Sequence, residues 1–134
     1  MKSHYPRVAI IGCGAVTETH HLPTLTDVEI KPSVLVDTNV GRAQNLADRF
    51  HAARATDDYR SCLDEFDAAI VAAPHASHAP ICIDLLRRGI HVLVEKPLAT
   101  TANECAAINA AAEEGRAVLA VGLMRRFQHN NQWA

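Results

Sequence analysis

The sequence has few aromatic residues, almost no net charge and no long apolar run, and each absence argues against a class of protein. Aromatic residues are 4% of the 134 residues, and the formal net charge is −2. Few rings are therefore present to stack on single-stranded nucleic acid, and no excess of basic residues attracts a polyanion. No segment approaches the roughly 18 apolar residues of a membrane-spanning helix, and the start of the chain lacks the apolar stretch of a secretory signal. Neither nucleic acid nor a membrane is expected as a partner.

The four cysteines show no pairing pattern. Cys13, Cys62, Cys82 and Cys105 are far apart, without a C-x-x-C pair, and each lies in or beside an apolar stretch. Such cysteines are typical of buried free thiols in a reducing compartment, so a cytoplasmic protein is expected. A nucleophilic role for Cys13 is disfavoured because a residue inside a glycine-rich turn has no room for a substrate.

Short apolar runs alternate with helical patterns along a chain of ordinary globular composition, with 49% hydrophobic and 21% charged residues. Strands are predicted at 8–11, 34–36, 52–55, 68–72, 91–94 and 117–121. Helices are predicted from the turn at 12–16 to near residue 23, and at 40–50, 77–88 and 101–114. Six strands separated by helices predict an α/β fold, a doubly wound and mainly parallel sheet with helices on both faces. The carboxyl ends of its strands would then share one edge, where ligands bind.

A glycine-rich turn, Gly12-Cys13-Gly14-Ala15-Val16, directly follows the first strand. In a dinucleotide-binding turn the first glycine permits the tight bend, and the second lets the backbone approach a pyrophosphate at the helix N-terminus. The third position is usually Gly or Ala, but here it is Thr17, which departs from the pattern. A glycine-rich turn without a ligand remains the alternative.

Asp37 ends the second strand, 20 residues after Thr17. A carboxylate at this position accepts hydrogen bonds from the adenosine ribose and repels a 2′-phosphate, which favours NAD over NADP. Arg42 works against that preference, because a nearby guanidinium suits the 2′-phosphate. A simple role for Asp37 in opening the next helix is the competing interpretation.

Glu95-Lys96-Pro97 follows the fifth predicted strand, at the same edge of the sheet. A lysine there can hydrogen-bond a substrate hydroxyl and favour its deprotonation as hydride leaves. A surface Glu-Lys pair at a strand end is an equally good interpretation of these residues alone.

Taken together, these motifs resemble the Gfo/Idh/MocA oxidoreductase family over residues 7 to about 127. The segments that carry the resemblance are Gly12 to Val16, His20-His21-Leu22-Pro23, Asp37, Pro74 with His78, and Glu95-Lys96-Pro97-Leu98-Ala99-Thr100. The resemblance implies a Rossmann domain that binds a nicotinamide cofactor, in an enzyme acting on sugars, cyclitols or related polyols.

The resemblance also implies roles for individual residues. Lys96 would be the active-site lysine, and Glu95 would orient it or contact the cofactor. The cofactor-binding residues would be Gly12, Gly14, Ala15 and Val16 at the pyrophosphate, Asp37 at the ribose, and Ala73, Pro74 and His78 beside the nicotinamide ribose, with Glu95 and Lys96. NAD is the expected cofactor, with NADP less favoured.

Family members are longer than this chain and carry a second, substrate-binding domain. Residues 1–123 are therefore expected to form the dinucleotide-binding domain, and 124–134 the start of a connection to a domain that is absent. Such a truncated form would bind the dinucleotide but turn over little substrate alone, and its uncovered surfaces predict a homo-oligomer.

Three other functions compete with this one. A nucleotide-sensing Rossmann module without catalysis would explain the chain length but not Lys96. A methyltransferase that uses S-adenosylmethionine would share the glycine-rich turn but not Glu95-Lys96-Pro97. A metal site among the histidines is disfavoured, because adjacent His20 and His21 point roughly 100° apart on a helix, so no metal is expected.

Overall fold

A computed structural model describes residues 5–128. It contains one six-stranded sheet in the order β3-β2-β1-β4-β5-β6, and every neighbouring pair is parallel. The strands are β1 (Val8–Ile11), β2 (Pro32–Val36), β3 (Arg54–Thr56), β4 (Ala68–Val71), β5 (His91–Glu95) and β6 (Leu119–Gly122). The helices are α1 (Leu22–Asp27), α2 (Val40–Phe50), α3 (His75–Arg87) and α4 (Ala102–Gly115). The predicted doubly wound sheet is confirmed.

The central strand β1 is buried on both faces, which explains why all four of its residues are apolar. Alternate side chains enter two hydrophobic cores. Ala9 and Ile11 belong to the core under α3 and α4, whereas Val8 and Ile10 belong to the core under α1 and α2. The helices therefore cover both faces of the sheet, and its carboxyl edge is left to the loops.

The first helix extends further than predicted, because Pro23 does not end it. A π-helical turn, Thr17–His21, leads into α1, and Pro23 lies in the first turn of that segment. A proline lacks the N–H for an ordinary helical bond and crowds the carbonyl four residues earlier. The carbonyl four residues before Pro23 is that of Thr19, which lies within the wider π-turn. Such turns often mark functional sites.

Most of the other boundaries differ from the predicted ones by one or two residues. Pro32 is the first residue of β2, a position where its missing N–H is tolerated. The helix α3 begins at His75, two residues before the prediction, and includes Pro80. β3 and β6 are each shifted towards the carboxyl terminus of the predicted run. The helix α2 was predicted to the residue.

β6 is an edge strand that pairs only with β5 in the described sheet, and its residues are half-buried or exposed. A short 3-10 turn, Met124–Phe127, follows it with exposed apolar side chains. Within residues 5–128 no helix is both long and apolar enough to cross a bilayer.

Candidate functional site

The chain reverses its direction of winding between β1 and β4, which lie side by side at the centre of the sheet. Open α/β sheets bind ligands in the crevice at such a switch point. Two adjoining cavities of about 330 and 560 Å³ lie there and share Gly12, Asp37, Thr38, Ala73 and Pro74. The larger cavity brings together seven of the predicted site residues: Gly12, Gly14, Ala15, Val16, Asp37, Ala73 and Pro74.

The glycine-rich turn lies against the end of β4. Gly12 has a φ of +103°, and a Cβ atom there would overlap the carbonyl of Ala72. Its N–H donates to the carbonyl of Val36 at 2.8 Å, which continues the pairing of β1 with β2. Gly14 differs, since a Cβ atom there would meet nothing within 4 Å. The open space beside Gly14 and the helix N-terminus that follows make a cradle that fits a pyrophosphate.

Thr17, which departs from the expected Gly or Ala, is fully buried under this turn. Its Oγ1 donates a hydrogen bond to the carbonyl of Gly12 at 2.6 Å. The threonine therefore ties the helix back to the turn, and the departure does not disturb the cradle.

Asp37 is held by two backbone N–H groups at the end of β2. Its Oδ2 accepts from Cys13 N at 2.9 Å and its Oδ1 from Asn39 N at 2.8 Å. Two of the roughly four acceptor positions of a carboxylate remain for hydroxyl donors. Its side chain is 10% exposed, and Arg42 Nη1 lies 3.8 Å from Oδ2 on the wall of the larger cavity.

Cys13, inside the turn, is a poor nucleophile. Burial and the nearby Asp37 carboxylate raise the pKa of its thiol to about 12. The thiol also faces the carbonyl of Val36 at 3.5 Å. These observations agree with the expectation that Cys13 has no catalytic role.

The smaller cavity contains residues that the sequence analysis missed. Tyr59 and Arg60, after β3, line it together with Ser77 and Ile81 of α3. The guanidinium of Arg60 lies 4.8 Å from the centre of the Tyr59 ring, and Tyr59 donates to Asp84 at 3.0 Å. Burial and this bond raise the pKa of Tyr59 to about 12. The sequence signal that could have identified Tyr59 and Arg60 is their position after a strand, at the carboxyl edge of the sheet.

Glu95 and Lys96 lie outside both cavities. Glu95 Oε1 lies 2.8 Å from His21 Nε2, and both side chains are 16% exposed. Lys96 is exposed and has no hydrogen bond or ion pair with any residue of the described range 5–128. Glu95 thus contacts His21 and not Lys96, and of its two expected roles, orienting Lys96 or contacting the cofactor, the second stays a prediction.

His78 is fully buried beneath the loop that follows β4. Its Nδ1 lies 2.8 Å from the carbonyl oxygen of Pro97 and its Nε2 2.8 Å from that of Ala73. Both ring nitrogens therefore face the protein. Among residues 5–128, no three His, Cys, Asp or Glu side chains converge as metal ligands would.

Residues 6–123 match the model of a family described as "Oxidoreductase family, NAD-binding Rossmann fold", GFO_IDH_MocA. The chain belongs to the Gfo/Idh/MocA family. It carries the NAD-binding Rossmann domain of these oxidoreductases, and the family binds NAD(P). The predicted family, fold and cofactor are confirmed.

Several members of the Gfo/Idh/MocA family are similar to this chain. An inositol 2-dehydrogenase of Saccharopolyspora erythraea is 35% identical over 124 residues, which are 90% of this chain and 37% of the relative. The scyllo-inositol 2-dehydrogenase (NAD(+)) of Bacillus subtilis is 30% identical, over 92% of this chain and 37% of its own length. The chain therefore spans little more than a third of these relatives.

Solved structures of the family share the same fold. A 3-ketoreductase from Actinomadura kijaniata in complex with NADP has a TM-score of 0.87 and 28% identity, covering 95% of this chain and 41% of that one. The WlbA dehydrogenase of Bordetella pertussis, in complex with NADH and UDP-GlcNAcA, has a TM-score of 0.85 with 24% identity, over 95% and 39% of the two chains. The second likeness shows the fold alone.

Proposed function

We propose that this chain binds the cofactor of a dehydrogenase or reductase that acts on a sugar, cyclitol or related polyol. The observation that carries the proposal is the arrangement at one edge of the sheet. There the open cradle at Gly14 follows β1, the two free acceptor positions of Asp37 follow β2, and the unpartnered Lys96 follows β5. The inositol dehydrogenases among the relatives support a polyol as the substrate class.

Each element of this edge has a part in the proposed site. The backbone at Gly12, Gly14, Ala15 and Val16 holds the pyrophosphate, and Asp37 accepts the ribose hydroxyls. The smaller cavity beside Tyr59 and Arg60 has the size and the apolar walls to take the adenine ring. The nicotinamide ring, when bound, gives or takes a hydride.

Lys96 is the proposed catalytic residue. An exposed ammonium at the end of β5 donates hydrogen bonds to a substrate hydroxyl and stabilises the negative charge that develops on its oxygen. Ala73 and Pro74, which follow β4, line the larger cavity at the same carboxyl edge of the sheet as Lys96. Contact of the cofactor with Glu95, Lys96 and His78 remains a prediction.

NAD is the proposed cofactor in preference to NADP. The Asp37 carboxylate repels a 2′-phosphate, and its interaction with Arg42 at 3.8 Å keeps the guanidinium beside the carboxylate. Removal of the Asp37 carboxylate would free Arg42 for a phosphate.

The remaining features of the proposal concern the whole protein. Residues 1–123 would be the cofactor domain and 124–134 a connection to a substrate domain, which the greater length of the relatives supports. Four free cysteines agree with a cytoplasmic location. The exposed apolar residues around β6 favour a homo-oligomer.

Calorimetric titration of the purified chain with NAD⁺ and NADP⁺ tests the proposal. We expect both dinucleotides to bind saturably, NAD⁺ more tightly than NADP⁺. Asp37→Ala should weaken NAD⁺ binding by about 1–2 kcal/mol and reduce the difference between the NAD⁺ and NADP⁺ affinities. Asp48→Ala removes a carboxylate on the exposed face of α2 and serves as the control.

Two results would contradict the proposal. Failure of the folded chain to bind either dinucleotide would reject the cofactor site. Unchanged NAD⁺ affinity in a folded Asp37→Ala variant would remove Asp37 from it.

A further inference from the structure

The segment Glu95-Lys96-Pro97 at the end of β5 is held by a histidine on each side of Lys96. His21 Nε2 lies 2.8 Å from the Glu95 carboxylate, and His78 Nδ1 lies 2.8 Å from the Pro97 carbonyl. Lys96, between these two contacts, is exposed and without a partner in residues 5–128. The backbone around the lysine is therefore fixed while its side chain is left free.

The two histidines come from different elements. His21 is the last residue of the π-helical turn after the glycine-rich turn, and His78 lies in the first turns of α3. The contacts therefore join the carboxyl end of β5 and the residues after it to the segment that follows β1 and to the helix that follows β4. His78 also contacts Ala73 at 2.8 Å, so its ring bridges the loop after β4 and the loop after β5.

The chemistry of the His78 contacts leaves this ring no nitrogen for a ligand. A carbonyl oxygen only accepts hydrogen bonds, a neutral imidazole donates one, and an imidazolium donates two. The neutral ring therefore donates a hydrogen bond to one of the two loops, and the protonated ring donates one to each. A fully buried side chain placed in this way holds the backbone of the loop after β4 and of the loop after β5.

We propose that His21 and His78 form a histidine clamp that positions Lys96 and the Ala73 loop for the nicotinamide end of the cofactor. Both are positioning residues, and the clamp rests on the proposed function for the role of Lys96. Its structural part stands independently, because the contacts can be broken without any cofactor present.

Hydrogen exchange followed by mass spectrometry tests the clamp in the cofactor-free protein. His21→Ala should speed exchange in residues 95–99 about tenfold, the effect of one ordinary hydrogen bond, and His20→Ala should not. His20 is the matched control because its ring is exposed and, within residues 5–128, its side chain hydrogen-bonds only to the neighbouring Thr19. His78→Leu should act in the same way, whereas Cys82→Ala, equally buried on α3, should not. Equal exchange in variants and controls would overturn the clamp.

Ligand affinities test the positioning role. ADP-ribose lacks the nicotinamide ring, so clamp variants should lose about three- to tenfold in NAD⁺ affinity and little in ADP-ribose affinity. His78→Gln, which retains an N–H donor, should recover part of the loss and remains informative if His78→Leu does not fold. Equal losses for both ligands, or none, would overturn the positioning role. Absence of NAD⁺ binding in the unaltered chain would reject the proposed function instead, and hydrogen exchange would still decide the structural clamp.

Discussion

Gly12 and Gly14 serve different purposes in the turn after β1, although one pattern in the sequence predicts both. Gly12 has a positive φ, and its α-carbon lies so close to the Ala72 carbonyl that no side chain fits. Gly14 borders open space, so the fold does not require a glycine there. The first position serves the backbone, and the second serves the ligand that approaches it.

Alanine substitutions separate these two purposes. Gly12→Ala should lower the free energy of unfolding by several kcal/mol, through overlap with the Ala72 carbonyl and an unfavourable φ. Gly14→Ala should leave the melting temperature nearly unchanged and weaken NAD⁺ binding about tenfold or more, because its methyl group enters the cradle. Thermal unfolding and calorimetry measure the two effects. Similar stability losses in both variants would contradict this division of roles.

Side-chain contacts between distant elements were the part of the site that the sequence did not reveal. Gly12 and Asp37 were predicted because each lies directly at a strand end, where the order of elements determines its place. The partner of Glu95 is 74 residues away in the sequence, and only the packed fold brings His21 to it. Tyr59 and Arg60 were missed for a different reason, because the strand before them has only three residues and gives a weak signal.

At the scale of elements, local signals predicted helices well where a cap and a periodic pattern agree. The helix α2 begins after Asn39, whose side chain accepts from Arg42 N at 3.2 Å, and its apolar residues recur at helical spacing. The first helix was predicted too short because Pro23 was treated as a terminator. The composition of the segment gives no signal for the π-turn, Thr17–His21, that leads into this helix.

The capping box of α4 gives a prediction about pH. Thr100 and Thr101 donate hydrogen bonds to the Glu104 carboxylate, foremost the Thr100 hydroxyl at 2.7 Å, and these bonds lower the pKa of Glu104. Its contribution to stability is therefore complete above the unfolded value of about 4.3 and is lost as the pH falls through the lower folded value. The amide signals of both threonines in NMR spectra should titrate with a midpoint below the ordinary pKa of a glutamate side chain.

Glu104→Gln is the matched control for that titration. Glutamine also completes a capping box, so the helix terminus should keep its structure while the pH dependence of both amide signals disappears. A midpoint at or above the ordinary glutamate value in the unaltered chain would contradict the role of these hydrogen bonds.

At the scale of the whole molecule, apolar exposure is concentrated around the edge strand β6. Val118 is 63% exposed, and Leu123 and Met124 beyond the strand are 43% and 46% exposed. The outer side of β6 has no neighbouring strand in the described sheet, so its backbone groups face outward. An open strand edge next to apolar side chains is a surface that favours contact with a second copy of the chain.

Sedimentation velocity over a range of concentrations tests that surface. We expect a reversible shift towards dimers or larger species as the concentration rises. The charged substitutions Leu123→Glu and Met124→Lys should raise the dissociation constant of this association about tenfold or more, because association would then bury a charge. Val40→Lys alters an equally exposed valine on α2, away from β6, and should leave the association unchanged. A chain that stays monomeric at its highest soluble concentration, or one that Val40→Lys dissociates equally well, would show that the β6 edge does not bind a second copy.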